Sequence, residues 1–117
     1  MRKRVIIVPK DKKAEQALDI NEAKREQLIE LTIDEKDFIF IYQTGIIELI
    51  NREGNANVDD FEDDCVSGKE NLSNVINALS LERFLENTTP TQQQLLNNIL
   101  KLFNEAFDRG TGVYFYF

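Results

Sequence analysis

Apolar side chains along this chain are grouped into three short runs that have the composition of β-strands. Val5–Val8 is a continuous apolar run ended by Pro9, which has no N–H to donate to a neighbouring strand. Residues 37–42 and 113–117 are rich in aromatic and β-branched side chains. The pattern therefore predicts strands at 5–8, 38–42 and 113–117.

The last of these runs alternates between two kinds of side chain. Tyr114 and Tyr116 fall on one face of a strand, and residues 113, 115 and 117, all apolar, fall on the other. We expect a terminal strand with one buried face and one partly solvated face.

Between the first two runs the chain is rich in strong helix formers. The composition of residues 11–31 predicts one kinked helix or two consecutive helices. Asp19 and Glu22 have the spacing of a capping box. One helical face is then expected to carry the side chains of Ile20, Lys24, Gln27, Leu28 and Leu31.

The segment 46–53 is compatible with a hairpin arm or with a short helix. The apolar residues at 46, 47 and 50 cluster on one helical face, which favours the helix. Thr44 is then the expected N-cap, and Gly54 is expected just beyond the C-terminus.

Two later helices have clearer signals. Apolar residues at 72, 75, 76 and 79 repeat at helical spacing. Thr89, Pro90 and Gln92 supply an N-cap, a proline at the first helical position and a reciprocal capping partner. We expect the helix that begins there to end at Gly110.

Strands that alternate with helical segments indicate a mixed α+β fold. We expect a small sheet of about three to four strands packed with three to five helices. No repeat, low-complexity tract or Gly/Ser-rich linker divides the 117 residues. The chain is therefore predicted to form a single domain over 1–117.

Charge is distributed unevenly along the chain. The formal net charge is −7. Residues 1–13 contain six basic side chains and one acidic side chain, so the rest of the chain carries −12. A body of this charge repels phosphate and attracts a basic protein or the nucleic-acid-binding cleft of a protein. We predict no direct binding to nucleic acid, although acidity that serves only solubility is an alternative.

The residue inventory limits the possible chemistry. The chain contains no histidine, which removes the commonest general base and every nucleophile that depends on an imidazole. Cys65 is the only cysteine, so no internal disulfide can form and no thiolate cage for zinc is available. Asp63 and Asp64 precede it and disfavour its thiolate, which predicts slow alkylation. We expect a protein that is not an enzyme and needs no cofactor.

No apolar run approaches the roughly 20 residues that a membrane-spanning helix requires. The apolar run after the basic N-terminus is also too short for a secretory signal. We therefore predict no membrane association and a cytoplasmic location.

The densest charge feature is an acidic stretch at 59–64. A calcium-binding loop aligned on Asn55 fails, because Asp60 falls where glycine belongs and Val66 falls where the bidentate glutamate belongs. A solvated loop or first helical turn is one alternative. The other is a partner-binding surface with an aromatic anchor among steering charges. The candidate residues are Asp59, Asp60, Phe61, Glu62, Asp63 and Asp64.

Three segments carry a resemblance to a known group of proteins: residues 42–51, 58–64 and 110–117. Here the chain resembles the small bacterial immunity proteins that neutralise toxin domains of contact-dependent inhibition and related polymorphic toxin systems. The resemblance implies a cytoplasmic, noncatalytic inhibitor that binds a cognate toxin domain, such as a nuclease. It also implies that the acidic stretch contacts a basic cleft of that toxin.

Two further hypotheses remain open. One is a phage-encoded or mobile-element protein that mimics nucleic acid and regulates a host defence enzyme, because such a protein needs the same acidic surface. The other is an enzyme that uses carboxylates and a divalent metal, for which metal affinity is the first requirement.

Overall fold

The structure, a computed structural model, describes residues 4–60, 63–80 and 88–117. These residues form a four-stranded sheet with the strand order β2-β1-β4-β3. The strands are β1 (Arg4–Pro9), β2 (Leu28–Ile33), β3 (Asp64–Val66) and β4 (Val113–Tyr116). The helices of the described residues are α1 (Lys12–Asp19), α2 (Glu35–Gln43), α3 (Ile46–Gly54), α4 (Lys69–Leu79) and α5 (Pro90–Arg109), with a short 3-10 helix at Arg25–Gln27.

Every strand pairing is antiparallel, and the first and last strands are neighbours at the centre of the sheet. In the central register, Ile7 pairs with Tyr114, and Ile6 pairs with Phe115. The short edge strand β3 pairs with the other side of β4, where Cys65 is the partner of Tyr114. The predicted fold class, a mixed α+β domain with a small sheet, is confirmed.

One face of the sheet, which we call the inner face, forms the core. Ile6, Val8 and Phe115 are fully buried there. The ring of Phe103 from α5 lies 6.2 Å from the ring of Phe115. Phe38 from α2 meets the last residue of the chain, Phe117, edge to face at 5.5 Å. Helices α2 and α5 therefore cover this face, and α3 and α4 pack beside them.

The opposite face, the outer face, is covered in part by α1. Asp11 caps this helix, because its carboxylate accepts a hydrogen bond from the Ala14 N–H at 2.7 Å. Ala14 is buried against the sheet. Tyr114 and Tyr116 lie on this face and are half-buried, whereas residues 113, 115 and 117 are buried. The predicted alternation of the last strand is confirmed.

Helix α5 begins and ends where the sequence predicts. The Thr89 hydroxyl accepts from the Gln92 N–H, and the Gln92 side chain accepts from the Thr89 N–H. Gly110 follows the last residue of the helix with φ of 70°. Because glycine tolerates this left-handed conformation, it ends the helix without strain.

The strand predicted at 38–42 is wrong, because these residues belong to α2. Asp34 caps the helix through a hydrogen bond from the Asp37 N–H at 2.7 Å. Phe38 and Ile41 face the core, and Ile39 and Tyr42 are 43% and 49% exposed. A short, continuous apolar run fits a strand or a helix equally well, and its aromatic and β-branched composition favours a strand. The helix forms instead because Asp34 caps its N-terminus.

The predicted helix over 11–31 is correct only for α1. Its last residues instead form β2, in which Leu31 pairs with Ile6 and Ile33 pairs with Arg4. The alternation of residues 29, 31 and 33 toward the core outweighs the helical propensity of the surrounding glutamate and lysine. Asp19 ends α1 and caps no second helix.

The helix predicted at 46–53 is confirmed as α3, although its ends differ from those expected. Thr44 ends α2 and donates its hydroxyl to the Phe40 carbonyl at 2.7 Å. Gly45 precedes α3 with φ of 82°, and Asn55, rather than Gly54, takes the left-handed position after it. Among the described residues, no helix is long and apolar enough to cross a membrane.

Candidate functional site

The acidic stretch passes around one end of the sheet and is divided between two places. Asp59 and Asp60 lie beside α2 and the first residue of β1. Asp63 and Asp64 lie at the start of the edge strand β3. Phe61 and Glu62, which are also predicted site residues, lie outside the described part of the chain.

The first place is organised by a buried cation, Arg4, which is only 7% exposed. One terminal nitrogen donates to the Glu35 carboxylate at 2.7 Å, and the other donates to Asp60 at 3.0 Å. The guanidinium carbon lies 3.8 Å from the centre of the Phe38 ring. The hydrogen bond to Glu35 raises the pKa of Arg4 more than burial lowers it. Arg4 is therefore a buried cation shared by two carboxylates that are themselves partly or largely exposed.

Two neighbouring residues extend this arrangement. The Tyr42 hydroxyl donates to Asp59 at 3.2 Å, and this hydrogen bond is the main reason that the pKa of Tyr42 is raised. The rings of Tyr42 and Phe38 are 5.6 Å apart. We refer to the whole group as the Arg4 cluster; it consists of Arg4, Glu35, Phe38, Tyr42, Asp59 and Asp60.

The loop that carries the acidic stretch is fixed at both ends. The side-chain amide of Asn51 donates to the Val58 carbonyl at 2.8 Å and accepts from the Val58 N–H at 2.7 Å. The Asp64 carboxylate accepts from the N–H groups of Asn57 at 2.6 Å and Cys65 at 2.8 Å. These bonds hold the backbone at Val58 and the carboxylate of Asp64 in place.

The second place is a cleft of about 350 Å³ between the end of α1 and the β3–β4 edge of the outer face. Acidic residues line it from two sides, because Asp19 comes from α1 and Asp63 comes from the residue before the edge strand. Asp64 also lines it, but Asp64 pairs with Phe115, so its carboxylate lies toward the inner face and accepts from the Asn57 N–H. Two aromatic rings form part of its wall. We call it the tyrosine cleft; it is lined by Leu18, Asp19, Asn21, Asp63, Asp64, Cys65, Tyr114 and Tyr116.

The two tyrosines differ in their surroundings. Tyr114 donates its hydroxyl to Glu15 at 2.9 Å, and burial, followed by this hydrogen bond, raises its pKa. Burial also raises the pKa of Tyr116, and the next largest cause is the negative charge of Asp63. The phenols are therefore held in their neutral form by the acidic surroundings.

The ion pairs of the described residues set the charge balance around this cleft. The Lys12 Nζ lies 3.2 Å from Oε1 of Glu15, so this lysine offsets the charge of the glutamate. Within the described residues, neither Asp19 nor Asp64 forms an ion pair with a basic side chain. Asp19 therefore presents a charge that no basic side chain of the described residues offsets, in contrast to Asp60 of the Arg4 cluster.

Asp19 also lies at an unfavourable position in its own helix. It is the last residue of α1, whose last turn contains no basic side chain. A negative charge there opposes the helix dipole and lowers stability.

The thiol of Cys65 is half-buried in the cleft wall. Burial raises its pKa, and the charge of Asp64 is the next largest cause. A thiol with these properties is a weak nucleophile, which agrees with the slow alkylation that the sequence predicts.

Sequence reasoning identified the acidic stretch but not the residues that complete the cleft. Asp19 was assigned to a capping box, and Tyr114 and Tyr116 were expected only to be half-solvated. The available signal was their alternation in the last strand, which places both on a face that is only partly covered. The local sequence does not show that α1 crosses the outer face of the sheet.

No group of three or more acidic or thiol side chains suited to holding a metal ion occurs among the described residues. The carboxylates of the cleft and of the Arg4 cluster instead contact backbone N–H groups, phenols and one guanidinium. The chemistry that this arrangement supports is the electrostatic binding of a positively charged group.

Comparisons with known proteins give one structural relative. No protein-family model matches the chain, and no curated protein matches it by sequence. The chain is similar in structure to the Neisseria DNA mimic protein DMP12, with a TM-score of 0.67 and 21% sequence identity. The match covers 99% of this chain and 100% of that one, so the two share the same fold along their whole length.

Proposed function

We propose that this protein is a noncatalytic nucleic-acid mimic that binds the nucleic-acid-binding surface of a basic protein. The observation that carries the proposal is the tyrosine cleft, where the charges of Asp19 and Asp63 both act on Tyr116 from different elements of the fold. Fixed carboxylates can occupy the positions at which a basic surface otherwise binds phosphates.

The structural relative supports this proposal. It is described as a DNA mimic, and its fold matches this chain from end to end. A charge of −12 outside the first 13 residues is what such a role requires, since the partner's surface is adapted to a polyanion. The proposal favours the nucleic-acid-mimic hypothesis over the toxin-immunity hypothesis.

The immunity hypothesis becomes one special case of the same mechanism. A nuclease toxin domain has a basic cleft that binds phosphates, and an acidic inhibitor would occlude it. A regulator of a host defence enzyme would act on its target in the same way. Action in the cytoplasm remains a prediction for either case.

The proposal can be tested by capture followed by competition. The immobilised protein is exposed to an extract of its native host from which nucleic acid has been removed by nuclease. Each retained protein is then purified and bound to a labelled DNA duplex and, in parallel, to labelled RNA. We expect this protein to displace the labelled nucleic acid in a saturable manner.

Retained proteins that bind no nucleic acid, or that bind it together with this protein, would contradict the proposal. A nuclease toxin domain that loses its nucleic acid on addition of this protein would support mimicry and identify the partner as a toxin. Raising the salt concentration should weaken the complex steeply, because ion pairs dominate it.

A further inference from the structure

We propose that the tyrosine cleft accepts an arginine side chain of the partner and that this contact anchors the complex. The inference rests on the proposed function, and it names the chemical group that the cleft recognises. It is carried by the combination of aromatic walls, converging carboxylates and an adjacent exposed apolar side chain.

The aromatic walls favour a flat cation. Tyr114 and Tyr116 both line the cleft, and both are half-buried. A guanidinium stacks on such rings and is more weakly hydrated than an ammonium group, so it loses less on entering. Arg4 shows the same preference within this chain, because its guanidinium lies 3.8 Å from the centre of the Phe38 ring.

The carboxylates supply acceptors on more than one side. Asp19 approaches from α1 and Asp63 from the start of the edge strand, and the negative charge of each acts on Tyr116. Arginine has five N–H donors in a planar fork, so it can satisfy several carboxylates at once, whereas lysine presents a point charge. An anionic ligand is excluded by the same charges.

The cleft is built before the partner arrives. Glu15 accepts from the Tyr114 hydroxyl at 2.9 Å, and Asp64 is held by two backbone N–H groups. The Tyr116 hydroxyl, in contrast, forms no hydrogen bond with another described residue, so it is available to a ligand. Preorganisation of this kind reduces the entropy lost on binding.

An exposed apolar residue lies next to the cleft in the chain. Ile20 follows Asp19 and is 63% exposed. The methylene groups of an arginine side chain pack on apolar surface while the charged head reaches its acceptors. Arginine is also enriched among the residues that dominate the energy of protein interfaces.

The test uses the tyrosine fluorescence of the folded protein. The chain contains three tyrosines and no tryptophan. In a Tyr42→Phe background, all tyrosine emission therefore comes from the cleft. Titration with an oligo-arginine peptide should change this emission, and an oligo-lysine peptide of the same length should bind about fivefold more weakly.

Variants separate stacking from charge alone. Tyr116→Leu should weaken oligo-arginine binding about fivefold, whereas Tyr116→Phe, which keeps the ring, should change it little. Asp19→Asn combined with Asp63→Asn should weaken it further. The matched control is Glu48→Gln combined with Glu53→Gln, which removes the same charge from α3, on the inner side of the sheet, and should have little effect.

Equal affinities for oligo-arginine and oligo-lysine, or an unchanged affinity for Tyr116→Leu with a native circular dichroism spectrum, would overturn the inference. A control pair that weakens binding as much as the cleft pair would also overturn it. Each of these results leaves the displacement of DNA from a captured partner to be measured separately, so the proposed function can stand while the arginine site fails.

Discussion

The Arg4 cluster and the tyrosine cleft draw carboxylates from the same six-residue stretch and use them in opposite ways. In the cluster, Asp60 is bound by a guanidinium that is 7% exposed. In the cleft, Asp64 is held by backbone N–H groups, and no ion pair compensates it among the described residues. The first arrangement pairs a carboxylate with a buried cation, and the second leaves a carboxylate without a cation among the described residues.

The comparison shows that the number of acidic residues in a stretch does not measure its capacity to bind a partner. Asp60 belongs to the folding energetics, because its charge is already matched by Arg4. Asp19, which lies far from the stretch in sequence, lines the tyrosine cleft because of the path of α1. Removing the charge of Arg4 should therefore lower the stability of the fold, whereas removing the charge of Asp19 should raise it.

The largest effect is expected from Arg4→Met. The substitution leaves Glu35 and Asp60 without their shared cation and removes the contact with the Phe38 ring. We expect the free energy of unfolding to fall by about 2 kcal/mol, measured by urea denaturation, because two charge-assisted hydrogen bonds and a ring contact are lost. Lys10→Met, which removes an exposed lysine next to the same strand, is the control and should change it little. Equal losses for the two variants would contradict a stabilising role for the cluster.

A smaller loss is expected from Gly112→Ala, which disturbs only the edge beside the cleft. An added Cβ would lie 2.9 Å from the backbone carbonyl oxygen of Val66, and a backbone atom has little freedom to move. We expect a loss of about 1–2 kcal/mol and faster alkylation of Cys65, because β3 must shift away from β4. Unchanged alkylation together with unchanged stability would show that the edge is more adaptable than the contact implies.

The pH dependence of stability should report on the cleft tyrosines. A free tyrosine has a pKa of about 10, and the pKa values of Tyr114 and Tyr116 are raised in the folded protein. At a pH between the pKa of a free tyrosine and the raised pKa of the folded protein, the phenols ionise in the unfolded chain but not in the folded one. Stability should therefore fall as the pH rises above about 10. Below that pH the phenols are neutral in both states, so they do not make the stability depend on pH.

Phenolate absorbance and urea denaturation at several alkaline pH values would measure this effect. Asp63→Asn should lower the pKa of Tyr116, because it removes a negative charge that disfavours the phenolate. Asp59→Asn should lower the pKa of Tyr42 in the Arg4 cluster instead. A single variant that shifts both tyrosines equally would argue against two separate electrostatic environments.

The smallest effect is expected from Asp19→Asn, and its sign is the informative part. The change removes a negative charge from the C-terminal end of α1 and from the cleft. We expect a gain of about 0.5 kcal/mol in stability, detected as a higher melting temperature in dilute buffer. The gain should shrink at high salt, since screening reduces the repulsion in the original protein. A loss of stability would show that Asp19 has a structural role.

Local signals in the sequence predicted several elements correctly. The capping pattern of Thr89 and Gln92 fixed the start of α5, and the alternation of residues 113–117 fixed the two faces of β4. The same reasoning failed for 38–42 and for 28–33, where short apolar segments suit either a helix or a strand. Their conformation depends on a cap at Asp34 and on pairing with β1.

The candidate site was harder to predict, because it depends on contacts between distant residues. Asp60 lies 56 positions from Arg4 in sequence, so local composition could not show that its charge is matched. Tyr114 lies 99 positions from Glu15, and only the central pairing of the first and last strands brings α1 over β4. The sequence shows the acidic stretch, but only the topology divides its residues between the Arg4 cluster and the tyrosine cleft.

The most direct test of the account is the displacement of DNA from a captured basic partner by the original protein and by its charge variants. We predict that Asp19→Asn combined with Asp63→Asn raises the concentration required for displacement at least about tenfold. Glu48→Gln combined with Glu53→Gln should leave that concentration nearly unchanged. Equal displacement by the cleft variant and the original protein would contradict the claim that the tyrosine cleft is the surface that replaces nucleic acid.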